Sequence, residues 1–340
     1  YGDWAIAGMD RNGLRPIRYT LTKNLLIAGS ETGMVNINEN EVLEKGRVGP
    51  GQLIAINFKE KKFYKDKEIK KYLADTKPFG SWTKKITYID KLVKSSDEEF
   101  RDLDSGDLRK RMACFAWSIE DIELILHPMI AEKKEATGSM GDDTPLAVLS
   151  NKYRGLHHFF RQNFSQVTNP PIDSLRENKV MSLKTRFGNL GNILDFDNLT
   201  EENIYVLDSP ILTNSQFKKF KKFFSKKVKV IDCTFDIEGS LKERIELIRE
   251  EAETAVREGS TCLILSDKSI SNQKASIPSI LTVGAVHSHL VKHGLRGYCS
   301  LNVECSDAMD THSFAILIGV GATIVNPYLA IDSIYQRFEK

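Results

Sequence analysis

Short apolar runs separated by turn-forming residues fill the first 58 positions and predict β-strands at 4–9, 14–20, 25–28 and 52–58. Asn12 and Gly13 stand between the first two runs, and both residue types tolerate the positive φ that a two-residue turn requires. We therefore expect an antiparallel hairpin there. Because a few strands without covering helices are marginal alone, we interpret residues 1–58 as part of a larger domain.

The Lys-rich segment at 59–85 lacks the apolar periodicity of its neighbours. Two interpretations fit this composition: a basic docking patch, or a solvated connector between domains. Acidic residues interrupt the run and favour the connector. The sequence thus predicts a first domain over 1–58, a linker over 59–85 and a second domain over 86–340.

After residue 202, short β-branched runs alternate with amphipathic segments, a pattern typical of β/α units. Parallel strands need helical crossovers, so we predict an α/β fold whose parallel sheet is either open or resembles an incomplete barrel. In both forms the working residues usually lie at the carboxyl ends of the strands. The predicted strands are 204–207, 228–232, 261–265, 298–303 and 322–325, and the main helices are 241–258 and 279–292.

Two further helices are indicated between residues 118 and 183. Ser118 can cap a helix whose apolar face, at a 3.6-residue period, carries Ile122, Ile125, Leu126 and Met129. Further along, the string SLRE at 174–177 has the form of a capping box. It predicts Ser174 as the N-cap of a helix that runs through Leu183.

The composition of the chain argues against several classes of binding partner and cofactor. Hydrophobic residues make up 41% and charged residues 28% of the chain, and a net charge of +2 predicts no nucleic-acid partner. The longest apolar runs, such as 314–320, are far shorter than the roughly 20 residues that cross a bilayer, so we expect no membrane partner. The five cysteines are odd in number and form no Cys-x-x-Cys pair. They predict reduced core thiols, a cytoplasmic location, and no zinc ribbon or iron-sulphur cluster bound within the chain.

Two groups of polar residues are candidate sites by their spacing. On a helix, His289 and His293 would lie one turn apart and could share a metal ion, whereas His287 would point nearly the opposite way. Two ligands alone do not make such a site, which favours core or surface histidines. Asp267, within 266–268, follows an apolar strand, where a β/α enzyme places working residues and where ordinary polar turns also occur.

Two segments resist assignment to regular structure: 138–141 combines glycines with a methionine, and 167–173 is a Pro-Pro loop ahead of a helix. Both belong to longer strings that resemble the large subunit of glutamate synthase in order and spacing. Weaker resemblance continues through 278–294 and 312–329, so it covers nearly the whole chain. The strings are DRNGLRP at 10–16, SMGDDTPLAVLS at 139–150, QVTNPPID at 166–173 and VMSL at 180–183.

The resemblance implies that residues 1–58 are the C-terminal part of a class II glutamine amidotransferase domain, of the N-terminal-nucleophile hydrolase type, and that 86–340 are the central domain. A glutamate synthase makes L-glutamate from glutamine and 2-oxoglutarate, and ammonia passes through an internal channel to a domain that carries FMN and an iron-sulphur cluster. The implied partners are the remaining amidotransferase and FMN-binding domains of the same polypeptide, and an electron-donating small subunit or ferredoxin.

Five residues match, position by position, the central-domain loops that line the channel entrance in this family. A Met side chain is supple enough to open or plug a constriction, and small neighbours leave room for ammonia to pass. The resemblance therefore implies a channel role for Ser139, Met140, Gly141, Thr168 and Asn169.

The chain also departs from the family pattern. It begins at Tyr1, so we expect the cysteine nucleophile and the His-Asn-Gly segment of the oxyanion hole to precede it, and the flavin and cluster region to follow Lys340. We therefore predict no catalytic, cofactor-binding or metal-ligating residue in this chain, and an inactive isolated segment. Two alternatives stay open: a self-sufficient β/α enzyme that uses Asp267, and a metal-binding protein centred on His289 and His293.

Overall fold

The structure, a computed structural model, describes residues 2–93, 103–135, 145, 147–151, 153–161, 164, 167, 170, 172–195 and 204–338. The chain forms two compact units. Residues 1–84 and 169–181 make the first unit, and residues 85–168 and 182–340 make the second.

The strands of the described residues form five sheets. Three of the sheets are antiparallel, one is mixed, and one is a parallel sheet of four strands. They are β1 (Trp4–Gly8), β2 (Ile17–Thr22), β3 (Leu26–Gly29), β4 (Val42–Val48), β5 (Leu53–Asn57), β6 (Lys62–Tyr64), β7 (Thr87–Tyr88), β8 (Thr185–Phe187), β9 (Tyr205–Leu207), β10 (Val228–Asp232), β11 (Thr234–Asp236), β12 (Cys262–Ser266), β13 (Lys274–Ser276), β14 (Ser300–Glu304) and β15 (Ile324–Asn326).

The helices of the same residues lie mostly in the second unit, and a π-helical segment, Asp121–Leu126, runs directly into the fifth of them. They are α1 (Asp66–Asp75), α2 (Phe79–Thr83), α3 (Asp90–Val93), α4 (Ser105–Cys114), α5 (His127–Ala131), α6 (Ser174–Val180), α7 (Asn214–Phe223), α8 (Leu241–Arg257), α9 (Ser279–Lys292), α10 (Thr311–Gly319) and α11 (Tyr328–Phe338). None of the helices in the described ranges has the length and apolar character of a membrane span.

The first unit contains two antiparallel sheets, with strand orders β1-β5-β6 and β3-β2-β4. The predicted hairpin between the first two strands is wrong, because β1 pairs with β5 and places Trp4 opposite Asn57. Gly13 does adopt a positive φ of 59°, and its N–H donates to Asp10 Oδ1 at 2.8 Å. The chain therefore does turn at Gly13 as predicted, but a local turn does not decide which strands pair.

Residues 59–85, for which we expected an exposed connector, contain β6, α1 and α2. β6 pairs with β5, and Ile69 of α1 is buried with Ala55 and Tyr64. Lysines lie between the apolar positions of α1 and cover its outer face, which hides the helical period in a Lys-rich composition.

The second unit is built on the parallel sheet β10-β12-β14-β15, which confirms the predicted α/β class in its open-sheet form. The four strands follow one another in chain order, and α8, α9 and α10 are the crossovers between them. Right-handed crossovers in a constant direction place these helices on one face. The strands predicted at 228–232, 261–265, 298–303 and 322–325 correspond to β10, β12, β14 and β15 with shifts of up to two residues, and the predicted helix 279–292 is α9. The run predicted at 204–207 is β9, which belongs to the separate sheet β7-β9-β8.

Apolar side chains cover both faces of this sheet, because the residues of each strand point alternately to the two sides. Leu263 and Leu265 of β12 pack with the face that carries α8, α9 and α10. Cys262 and Ile264 pack on the opposite face against three phenylalanines of α7 and its C-terminus: Phe217, Phe220 and Phe224. Burial on both sides explains the near-continuous apolar sequence of the central strand.

Of the two predicted helix starts, the one at Ser118 is confirmed and the one at Ser174 is wrong. The Ser118 hydroxyl accepts the Asp121 N–H at 3.1 Å and Leu126 is buried, which confirms the cap and the apolar face of that helix. The predicted cap at Ser174 is wrong by one residue. The Asp173 carboxylate accepts the N–H groups of Leu175 and Arg176, and the helix ends at Val180, not at Leu183.

Candidate functional site

The carboxyl ends of the central parallel strands gather a set of charged and hydroxyl side chains. β12 ends immediately before Asp267 and β14 ends at Glu304, and parallel strands bring these ends to the same edge of the sheet. We call this set the strand-end cluster. Its members are Arg111, Lys221, Asp267, Lys268, Glu304, Ser306 and Tyr328.

Asp267 is the most perturbed carboxyl group of the strand-end cluster. It accepts the Ser306 backbone N–H and the Tyr328 hydroxyl, each at 2.8 Å. Burial, and then the charge of Asp307, raises the pKa of Asp267 to about 7. Arg111 Nη1 in turn donates to the Tyr328 hydroxyl at 2.9 Å. At neutral pH this carboxyl group is therefore divided between its protonated and ionised forms.

Glu304 remains ionised although its side chain is only 3% exposed. Its Oε1 lies 2.7 Å from Lys221 Nζ and 2.9 Å from Lys268 Nζ, and its Oε2 accepts the Ser266 hydroxyl at 2.8 Å. Burial acts to raise the pKa of Glu304, but the two ammonium groups outweigh it and the pKa is lowered. The carboxylate is therefore paired on both oxygens.

These contacts tie helices to the sheet edge. Arg111 belongs to α4, Lys221 to α7 and Tyr328 to α11, so each helix contributes a partner to a strand end. Buried charges are stable in this way only when every one is paired and hydrogen-bonded. The geometry suits a structural clamp better than a reaction centre.

A cavity of about 470 Å³ opens beside this edge, within the second unit. It touches Asp307, whereas the residues that line it in the described part of the chain do not include Asp267 or Glu304. Burial lowers the pKa of His157, and burial followed by the charges of His157 and Arg154 lowers that of His158 to about 4. Both imidazoles are therefore neutral at pH 7. Other lining residues are Phe115, Trp117, Ser118, Asp121, Tyr153 and Asp310.

The histidines singled out by spacing separate as expected on α9. His287 Nδ1 accepts the Arg296 Nε–H at 3.2 Å. His289 and His293 instead meet Glu253 of α8, and the three ligand atoms lie within 4.8 Å of one another. We call Glu253, His289 and His293 the α8–α9 triad. Glu253 was missed because it lies 36 positions before His289, and only helix packing brings the two together.

The predicted channel residues Ser139, Met140, Gly141, Thr168 and Asn169 lie outside the described residues. Their neighbours in sequence are described in part. In the sequence, residues 115–125 precede 139–141, and residues 153–158 lie between 139–141 and 168–169. Both described segments contribute to the wall of the cavity. After the second loop, Asp173 lies 3.9 Å from Arg11 within the first unit.

Two protein families match successive parts of the chain. The family "Glutamate synthase central domain" matches residues 110–340, and the family "Glutamine amidotransferases class-II" matches residues 1–82. The two matches follow one another without overlap.

Individual relatives agree with both matches. The chain is 53% identical to the "Glutamate synthase [NADPH] large chain" of Azospirillum brasilense, with 100% of the chain and 23% of the relative aligned. It is 39% identical to the "Ferredoxin-dependent glutamate synthase, chloroplastic" of Spinacia oleracea, over 97% of the chain and 21% of the relative. For the "Glutamate synthase [NADPH] large chain" of Bacillus subtilis the identity is 39%, over 98% and 22%. The chain thus spans less than a quarter of these relatives.

Proposed function

Because the chain belongs to the glutamate synthase family, we propose that it forms part of a glutamate synthase, in which it supplies structure and a wall of the ammonia channel. The succession of an amidotransferase match over 1–82 and a central-domain match over 110–340 carries the proposal. The complete enzyme would make L-glutamate from glutamine and 2-oxoglutarate in the cytoplasm, as an oxidoreductase acting on CH–NH2 donors.

The side chains of this segment do not fit the cofactors of such an enzyme. The strand-end cluster fills the carboxyl edge of the parallel sheet, where an α/β flavin protein would hold its cofactor. The buried cysteines also suit core packing, since burial raises the pKa of Cys262 to about 12 and of Cys299 to about 11. Cluster ligands are thiolates. FMN and the iron-sulphur cluster therefore belong to other parts of the polypeptide in this proposal.

The electron donor of the complete enzyme would also bind outside this segment. The relatives include both NADPH and ferredoxin-dependent enzymes. A small subunit or ferredoxin is accordingly the external partner, next to the remaining amidotransferase and FMN-binding domains of the same chain.

The channel role rests on chemistry that the reaction requires. Ammonia that reached water at neutral pH would gain a proton and lose the lone pair that makes it a nucleophile, so its path has to exclude solvent. We assign this path to loops 139–141 and 168–169. The cavity of about 470 Å³ in the neighbouring segments, with neutral His157 and His158 in its wall, supports the assignment.

A bulky side chain at Met140 tests the proposal in the complete enzyme. We expect Met140→Trp to leave glutamine hydrolysis intact while 2-oxoglutarate amination falls and free ammonia appears in solution. Glutaminase activity, glutamate formation and released ammonia would be measured on the same sample. Met181→Trp is the matched control, because the Met181 side chain is 67% exposed. Unchanged coupling in Met140→Trp would overturn the channel role.

A further inference from the structure

Two long helices of the second unit bring a carboxylate and two imidazoles together at their surface. Glu253 lies near the end of α8, and His289 lies near the end of α9, with His293 as the C-cap residue of that helix. The two histidines are one helical turn apart, so their side chains project from the same face. The triad is therefore built from two positions on one helix and one on its neighbour.

The backbone that carries the α8–α9 triad is held by a tightly packed core. Ile248, Ala252 and Val256 of α8 are buried in one cluster with Val286 and Leu290 of α9. Leu290 directly follows His289, and Ala252 directly precedes Glu253. A ligand set mounted on packed helices keeps its spacing without a ligand, which lowers the cost of ordering it on binding.

The distances leave room for an ion after small side-chain rotations. Glu253 Oε2 is 2.6 Å from His289 Nε2 and 3.8 Å from His293 Nδ1. His293 Nδ1 also lies 2.8 Å from the backbone oxygen of His289, a contact that the ion would replace. Tetrahedral zinc with bonds of about 2.0–2.1 Å places neighbouring ligand atoms about 3.3 Å apart. To reach that spacing, the first distance has to open by about 0.7 Å and the second has to close by about 0.5 Å, which side-chain torsions can supply without backbone movement.

Arg257 occupies one oxygen of the Glu253 carboxylate, and the other oxygen is available to an ion. Arg257 Nη2 lies 2.7 Å from Glu253 Oε1 and leaves Oε2 directed towards the histidines. An outer partner that holds the second oxygen is a usual support of a ligating carboxylate.

Exposure distinguishes the triad from the buried network at the strand ends. The side chains of His289, Glu253 and His293 are 13%, 21% and 35% exposed, so an ion can enter from solvent and keep a water ligand. We propose that Glu253, His289 and His293 bind a divalent transition-metal ion of the zinc class, which cross-links α8 and α9. Two imidazoles, one carboxylate and one open position are a ligand set that zinc accepts.

Direct binding to the tag-free chain tests the proposal. Zn²⁺ would be titrated by calorimetry, and Co²⁺ would be titrated in parallel to record the visible absorption of a tetrahedral centre. We expect one equivalent of either ion, reversed by a chelator. Glu253→Gln and His289→Ala should each weaken binding by about tenfold or more, because each removes a ligand.

Two matched controls separate the triad from other metal-binding groups. His287→Ala removes a histidine of the same helix that faces Arg296, and Cys114→Ser removes the exposed thiol. Both should bind Zn²⁺ as the unchanged chain does. Glu253→Gln keeps the side-chain shape, so it decides the result if His289→Ala fails to fold. Absence of one-equivalent binding, or equal binding by Glu253→Gln, would overturn the proposal and leave the triad as an ordinary ion pair.

Discussion

The strand-end cluster and the α8–α9 triad place charged groups in the same unit, but they differ in access to solvent. Glu304 is 3% exposed and lies against two ammonium groups, whereas Glu253 is 21% exposed and lies against an arginine and two imidazoles. In the first, two ammonium groups contact the same buried carboxylate oxygen. In the second, the imidazoles can exchange a proton for a metal ion.

The difference shows why a group with a shifted pKa at the carboxyl end of a strand is weak evidence for catalysis. Asp267 has the raised pKa expected of a general acid or base, yet its partners are Ser306 and Tyr328 of its own chain. Structural networks perturb pKa values as strongly as active sites do. The side chains of the triad are partly exposed to solvent, and access to a ligand is the better criterion.

The largest effect should come from removing the cations of the strand-end cluster. In Lys221→Met combined with Lys268→Met, the buried Glu304 carboxylate loses both ammonium partners. We expect a loss of about 4 kcal/mol in the free energy of unfolding, because an unpaired buried charge is strongly destabilising. Urea unfolding at pH 8 measures it.

Lys222→Met is the control for this pair, since Lys222 is the next residue of α7 and its side chain is exposed. Surface charges of this kind contribute little, so the free energy of unfolding should change by less than about 0.5 kcal/mol. If the double variant unfolded at the same urea concentration as Lys222→Met, the clamp described for Glu304 would be wrong.

A smaller, pH-dependent effect should follow from Asp267→Asn. Asp267 has a folded pKa of about 7 against an ordinary value of 3.8, so between these pH values the folded protein holds a proton that the unfolded chain has lost. Stability due to this group is therefore greatest at low pH and falls as the pH rises towards 7. Between pH 5 and pH 8 the unchanged chain should lose about 3 kcal/mol relative to Asp267→Asn.

Urea unfolding of both proteins at several pH values between 5 and 8 measures this difference. The Ser306 N–H and the Tyr328 hydroxyl bond to different oxygens of Asp267, so asparagine keeps an oxygen acceptor for one of them and presents its amide N–H2 to the other, much as a protonated aspartate presents its O–H. Parallel stability profiles of the two proteins would show that Asp267 titrates at its ordinary pKa. They would also remove the main similarity between this residue and a general acid.

Much of the second unit could be predicted from the sequence because its signals are local. The helix predicted at 279–292 is α9, and the run at 261–265 is β12 displaced by one residue. Each β/α unit carries its own period of 3.6 or 2, and consecutive units stack in chain order. The family resemblance indicated which enzyme family the two regions belong to, but it did not give their geometry.

What the sequence did not reveal depends on contacts between distant residues. β4 was missed because Glu44 and Gly46 fill its half-buried positions while Leu43 is exposed, so its apolar residues do not alternate. Glu44 accepts the Tyr19 hydroxyl of β2, and Gly46 lies under the same ring. The cations of Glu304 include Lys221, 83 positions earlier. Such partners follow from packing, and packing has no periodic signal in the sequence.

The smallest predicted effect concerns the triad without metal. Glu253→Gln removes the carboxylate charge but keeps a side chain of similar shape, and the partners Arg257 and His293 are exposed enough to turn towards water. Exposed ion pairs contribute little, so the melting temperature of the metal-free chain should change by less than about 2 °C. Differential scanning calorimetry with a chelator present measures it. A larger loss of melting temperature would show that Glu253 is a structural ion-pair partner between helices, as Glu304 is. It would weaken the case for a site that solvent and ions can reach.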